Sequence, residues 1–276
     1  MNASELADFW DGVVDAFLDG GPGVPEELRP WFNGYKGTGR GEVMAEALPE
    51  PWLGSLAARP RAVFLQLNPG LAVDYQLRDG IFADEIRTCG RYSAWTATWP
   101  YQQRRGNEPD PVLVGSSESM PAGRFWKGAA QFGNVRLRFA QNWFGHPALT
   151  FDDVLMFELY PWHSRGLTSG IRPPIRFVQE YIWEPIADVG APIVFAFGAH
   201  WFDLLRRLDI DVIVELGPNN GLGSAIASRS MLIGRACKTG TVIVAEKHAG
   251  SAGPPRASEV KVMGEAYERV VGWWRR

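Results

Sequence analysis

The sequence predicts an α/β fold: a three-layer αβα domain around a central, mostly parallel, four-stranded sheet. Three observations predict it. Apolar runs of strand length recur along the 276 residues, stretches of helical period lie between them, and each run stops at something polar or glycine-rich. Strands that alternate with helices imply a parallel sheet covered on both faces. In such sheets the loops at the carboxyl ends of the strands carry the ligand. One domain over 1–276 is expected, with 1–60 as a helical N-terminal extension and 71–122 as a long insertion after the first strand.

The N-terminal segment reads as an amphipathic helix, with Phe9, Val13, Val14, Phe17 and Leu18 on one side. The first strand is Ala62 to Leu67, which stops at Asn68-Pro69-Gly70, a tight loop with a fixed backbone. A helix is expected over Arg124 to Phe132, then a strand over Val154 to Leu159 that passes Glu158 into LYPWHSRG. A helix over Ile175 to Asp188 precedes a strand over Pro192 to Phe197, which ends at Gly198-Ala199-His200 before a helix to Leu208. Asp211 to Leu216 is a shorter fifth strand candidate. Thr241 to Ala245 forms the last strand, followed by Glu246-Lys247-His248 and AGSAGPPR. Val260, Met263, Tyr267, Val270 and Val271 fit a terminal helix docked on the sheet.

Composition excludes several classes. No apolar run is long enough to span a bilayer, and the N-terminus lacks the basic start and unbroken apolar core of a signal peptide. A cytoplasmic protein with no membrane partner is therefore expected. Cys89 and Cys237 show no metal spacing and read as free thiols in a reducing compartment. The dinucleotide fingerprint, the phosphate-loop motif and the HExxH motif are missing from the sequence, so no cofactor and no metal is expected. The net charge is −3, yet residues 1–50 hold ten acidic and three basic residues, which leaves the remainder net positive. Arg87 to Arg105, Ala122 to Gln141 and Ser228 to Thr241 are basic with no acid. They suit phosphate contact, or are ordinary solvated arginines.

Two strings carry a resemblance: LQLNPG at Leu65 to Gly70 and PAGRFWK at Pro121 to Lys127. Together the chain resembles the uracil-DNA glycosylase superfamily, nearest its mismatch-specific uracil- and thymine-DNA glycosylase branch. FELYPWHSR (Phe157 to Arg165) looks like the segment where that family places a base-reading Asn. KHAGSAGPPR (Lys247 to Arg256) looks like its His-Pro-Ser loop. The resemblance implies a monofunctional enzyme that hydrolyses an N-glycosidic bond. Its partner would be double-stranded DNA with an extruded base, since that bond is out of reach inside a duplex. A monomer is expected. The resemblance also implies that Asn68 holds the attacking water and that His248 donates to the departing base. Asp74 is the alternative carboxylate for the water. Gln66, two residues before Asn68 and on the same face, lines the base pocket or is a satisfied core residue. Tyr75 and Phe125 are further base-binding candidates. Arg124, Lys127, Ser251, Arg256, Arg91 and Arg105 are candidates for DNA contact.

The departures point further. Gly123 replaces the family's Asn before Arg124, and His248 is followed by Ala-Gly-Ser in place of Pro-Ser. Glu158 stands where a base-reading Asn is expected. An ionised carboxylate only accepts: it repels uracil O4 and accepts from cytosine N4. Two readings of Glu158 follow, a reader of a cytosine-type base or an ion-pair partner of an Arg such as Arg165. The insertion places Tyr92, Trp95, Trp99 and Tyr101 among Arg87, Arg91, Arg104 and Arg105. That suits stacking on bases or sugars, or else a packed surface excursion. An insertion beside the pocket would admit a bulky modified cytosine such as glucosylated 5-hydroxymethylcytosine, typical of some bacterial virus genomes. The expected function is excision of such a base in antiviral defence. The alternatives are uracil or thymine mismatch repair, a base-flipping DNA-binding protein without the chemistry, and action on free nucleosides.

Overall fold

The structure is a computed structural model. It describes residues 1–34, 43–103, 111–112, 114, 122–164, 173–208, 210–223, 229–248 and 253–274, and only the backbone of 34, 102, 103, 122–130, 273 and 274. The chain divides into two compact units. Unit 1 is Met1–Ala58, Asn68–Gly133 and Met156–Val189; unit 2 is Arg59–Leu67, Asn134–Leu155 and Gly190–Arg276.

The fold is mixed α/β with a parallel centre and antiparallel margins. The strands are β1 (Trp52–Leu53), β2 (Ala62–Gln66), β3 (Val154–Glu158), β4 (Ile193–Phe197), β5 (Ile210–Leu216), β6 (Arg229–Ala236) and β7 (Val242–His248). The described sheet has seven strands where four, and a shorter fifth candidate, are expected. In unit 2, which β3 enters through Val154 and Leu155, the order is β3-β2-β4-β7-β6-β5. β2, β4 and β7 pair in parallel, whereas β6 pairs antiparallel with β7 and with β5. β6 escapes the apolar criterion because Arg229, Ser230, Gly234 and Arg235 interrupt it. Tertiary pairing makes it a strand all the same. In unit 1, β1 pairs antiparallel with β3, Trp52 against Phe157.

Alternation along the strands gives unit 2 three layers. Phe64 pairs with Phe195 and Ile233 with Val244, so Phe64, Phe195, Phe197, Val244, Glu246 and His248 share one face. The helix Ala122–Phe144 packs there: Phe139 meets Phe64, Phe195 and Phe197 at 4.8–6.0 Å between ring centroids. The helix Ala257–Trp274 is on the same side, with Tyr267 against Trp143. Lys247 points to the other face, where its ammonium lies 4.6 Å from the Phe202 ring of the helix Ala199–Leu205.

Unit 1 is helical around the β1–β3 pair. Its first helix, Ala3–Leu18, starts at a capping box in which Asn2 and Glu5 exchange hydrogen bonds. The buried stripe is Leu6, Trp10, Val14 and Phe17; Phe9 and Val13, expected in the core, are only half-buried. Asp11 is buried with this stripe because it accepts from the Ser93 N–H and hydroxyl, both at 2.7 Å. The helix expected from Ile175 is Ile175–Val178, a π-helical turn Gln179–Trp183, and Glu184–Val189. Pro185, just past the π turn, has no N–H to donate.

Among its described residues the insertion forms a 3-10 turn, Asp74–Gln76, and short helices Ile81–Cys89, Tyr92–Ala97 and Pro100–Gln103. Its aromatics correct the stacking expectation. Tyr92, Trp95 and Trp99 are buried: the Tyr92 hydroxyl donates to Trp52 O, and the Trp95 ring N–H donates to Glu85. They build the interior of unit 1 and are not offered to a base. Cys89 is an exposed free thiol, and Cys237 is exposed. Among the described residues no helix is long and apolar enough to cross a membrane.

Candidate active site

β2 delivers the chain to Asn68-Pro69-Gly70. Gly70 has φ +91, which favours glycine, and Pro69 fixes the residue before it. Asn68 is half-buried, and its amide nitrogen donates to Ser164 O and to Ser164 Oγ, both at 3.0 Å. Both amide hydrogens are thereby committed. The chemistry left to Asn68 is that of its oxygen, an acceptor.

Ser164 belongs to the segment that leaves β3, the FELYPWHSR string. Its N–H donates to Gly70 O at 2.9 Å, and His163 Nδ1 lies 3.1 Å from that same oxygen. His163 Nε2 stands 3.7 Å from Glu50 Oε1. Glu50 Oε1 also accepts from the Tyr101 hydroxyl and, at 3.1 Å, from Gln76 Nε2. Burial first, then the Glu50 carboxylate, push the Tyr101 phenol well above its ordinary range, so it stays a donor. Glu50, Gln76, His163 and Ser164 are all buried. Spacing offered no signal for Glu50 or Gln76. Glu50 sits between two prolines far from the motif in sequence. His163 and Ser164 lie inside the string whose expected reader is Glu158.

Glu158 closes β3 and is buried; its N–H donates to Pro51 O at 3.0 Å. Its carboxylate is one of the charges felt by Tyr92, whose phenol is raised well above its ordinary range by burial first and Glu50 second. Asp74 is occupied with backbone. Its Oδ1 accepts from the Val112 N–H at 3.0 Å while its own N–H donates to Val112 O. Through Oδ1, Asp74 holds this turn. Tyr75 is buried, not an open platform. Gly80 lets the chain close over this turn, since a Cβ there would sit 2.3 Å from Asp74 O.

In unit 2, Gln66 Oε1 accepts from Arg136 Nη2 at 2.6 Å, and Gln66 O accepts from the Trp201 ring N–H at 2.8 Å. Gln66 and Arg136 are both buried. An arginine can only donate, so the Gln66 atom facing it is oxygen and the amide orientation is set. Gln66 Nε2 is buried without a hydrogen-bond partner among the described residues.

His248 is the last residue of β7 and half-buried. Its cross-strand partner is Arg229, which pairs with Glu246 and, at 3.1 Å, with Glu259. Glu246 is 1% exposed, and its carboxyl is pushed up to about 7, by burial above all, with the Arg229 guanidinium pulling the other way. A charged residue at the end of VIVAEKH is the signal that could have singled it out.

Arg91 and Arg256 are exposed. Arg256 precedes the helix Ala257–Trp274, and its N–H donates to Glu259 at 2.7 Å. Arg124, Phe125 and Lys127 fall in the first turns of the helix Ala122–Phe144, and their side chains lie outside the described residues. Arg105, Arg165 and Ser251 also lie outside them. Among the described residues no three His, Cys, Asp or Glu side chains are placed to hold a metal ion. A groove of about 710 Å³ between Trp143 and the Val260–Glu268 stretch of the last helix is lined by none of the predicted site residues. Neither a family model nor a curated protein matches the chain.

Proposed function

We propose that this protein is a DNA glycosylase of the uracil-DNA glycosylase kind. It acts on an extruded base, with a modified cytosine as the preferred target. The observation that carries the reading is Asn68. It stands just past the carboxyl end of β2 with both amide hydrogens held by Ser164, so it presents an oxygen. Such an acceptor orients a water by taking one of its hydrogens, without being a strong base. The water oxygen bonds to the sugar C1′, the C1′–N bond breaks, and the base leaves with the electron pair. The water's surplus proton passes to solvent or to the departing base. Glu158, acceptor-only and at the end of β3, is the proposed reader of an exocyclic amine such as cytosine N4.

The test is a panel of duplexes, each carrying one uracil, thymine mismatch, 5-methylcytosine, 5-hydroxymethylcytosine or glucosylated 5-hydroxymethylcytosine, followed by alkali. Strand cleavage at a modified cytosine is expected. It should fall about 100-fold in Asn68→Ala, with duplex affinity unchanged. Cleavage at uracil alone would make this a repair enzyme and remove the case for Glu158. Tight binding with no cleavage would leave a base-flipping protein without the chemistry.

A further inference from the structure

We propose that His163 and Ser164 are positioning residues for Asn68. The kinetic consequence rests on the glycosylase reading; the positioning itself does not. Ser164 takes both Asn68 amide hydrogens, and Gly70 O takes the Ser164 N–H and the His163 Nδ1–H. A carbonyl only accepts, so the hydrogen of His163 must sit on Nδ1. Nε2 is buried 3.7 Å from Glu50 Oε1, beyond hydrogen-bond reach, and that oxygen is taken by Tyr101 and Gln76.

The backbone around this pair is pinned as well. The Met44 N–H donates to His163 O at 2.9 Å, and the Glu50 N–H donates to Pro161 O at 2.8 Å. Pro69 removes one rotation from the loop, and Gly70 takes a φ that a larger residue would resist. Asn68 cannot swing or flip without breaking this set. An amide free to flip would present N–H as readily as oxygen and would not hold a water in one orientation. His163 and Ser164 are fully buried, which suits residues that act through Asn68 and not on the substrate.

The experiment reads hydrogen exchange of the Asn68 side-chain amide by NMR in the full chain, the resonances being identified by their loss in Asn68→Ala. Exchange on the order of tenfold slower than that of a free amide is expected in the wild type. His163→Phe keeps the ring volume and removes Nδ1, and Ser164→Ala removes one acceptor. Each should speed the exchange, and His163→Phe should slow single-turnover base release about 100-fold at unchanged duplex affinity. His163→Asn restores a donor near the Nδ1 position and should recover part of both. Wild-type exchange at the free-amide rate would overturn the proposal without recourse to any variant. So would protection that neither substitution alters, since a packing role alone predicts that. Should no duplex release a base, the glycosylase reading fails and the exchange rates still decide the positioning.

Discussion

Glu246 ends an apolar run, with the Arg229 guanidinium against one carboxylate oxygen and its other oxygen buried. Its carboxyl titrates near 7 in the fold against an ordinary value of 4.5, so the folded chain holds that proton more tightly than the unfolded chain does. Stability is therefore lost as pH rises through about 7, by an amount on the order of 3 kcal/mol from this group. Urea midpoints of the wild type and Glu246→Gln, compared between pH 4.5 and 8, should show the wild type losing ground to the variant as pH rises. A gap that stays constant would place the ionisation of Glu246 outside this window. Glu158 carries the residue-scale prediction about specificity. Glu158→Asn restores both a donor and an acceptor, and should move cleavage from modified cytosine towards uracil in the duplex panel. Unchanged base choice would count against Glu158 as the reader. Its type and its position at a strand end are legible in the sequence. The Tyr92 and Glu50 side chains that share its electrostatic surroundings come from segments far away in the chain.

The insertion between Gly70 and the long helix shows what an element contributes. Its aromatic and arginine pattern fits a nucleic-acid surface and a small hydrophobic core equally well, because both use flat rings with polar rims. Packing decides for the core at Tyr92, Trp95 and Trp99. Trp95→Ala should then cost about 3–5 kcal/mol, measured by denaturant unfolding, through the cavity it leaves. Arg91→Ala, at an exposed position, should leave that midpoint within about 0.5 kcal/mol. The first helix teaches a related lesson. Its period is legible, but Asp11 is drawn inward by Ser93, 82 positions later, and the buried stripe turns towards Leu6 and Trp10. Helical periodicity alone gives a range of faces, and the partner chooses among them.

At the scale of the molecule, the net charge of −3 conceals an acidic first fifty residues and a basic remainder. Duplex affinity should therefore fall as salt rises, and Arg256→Ala should reduce the slope of log K against log salt by about 0.9 if its guanidinium meets one phosphate. An unaltered slope would take Arg256 off the DNA. The α/β class, five of the seven described strands and the polar ends of the central ones are legible in the sequence alone. Apolar runs and their stops are local properties of a chain. The sequence also marks Asn68, because Asn-Pro-Gly after a strand constrains its own backbone. Long-range pairing and packing are what make β6 a strand, Asp74 a turn-holder and Glu246 a buried acid. Folding likewise bonds Asn68 to Ser164 and sets His163 beside Glu50. Hydrogen bonds and desolvation act between atoms near in space, and those partners are 96 and 113 positions apart along the chain.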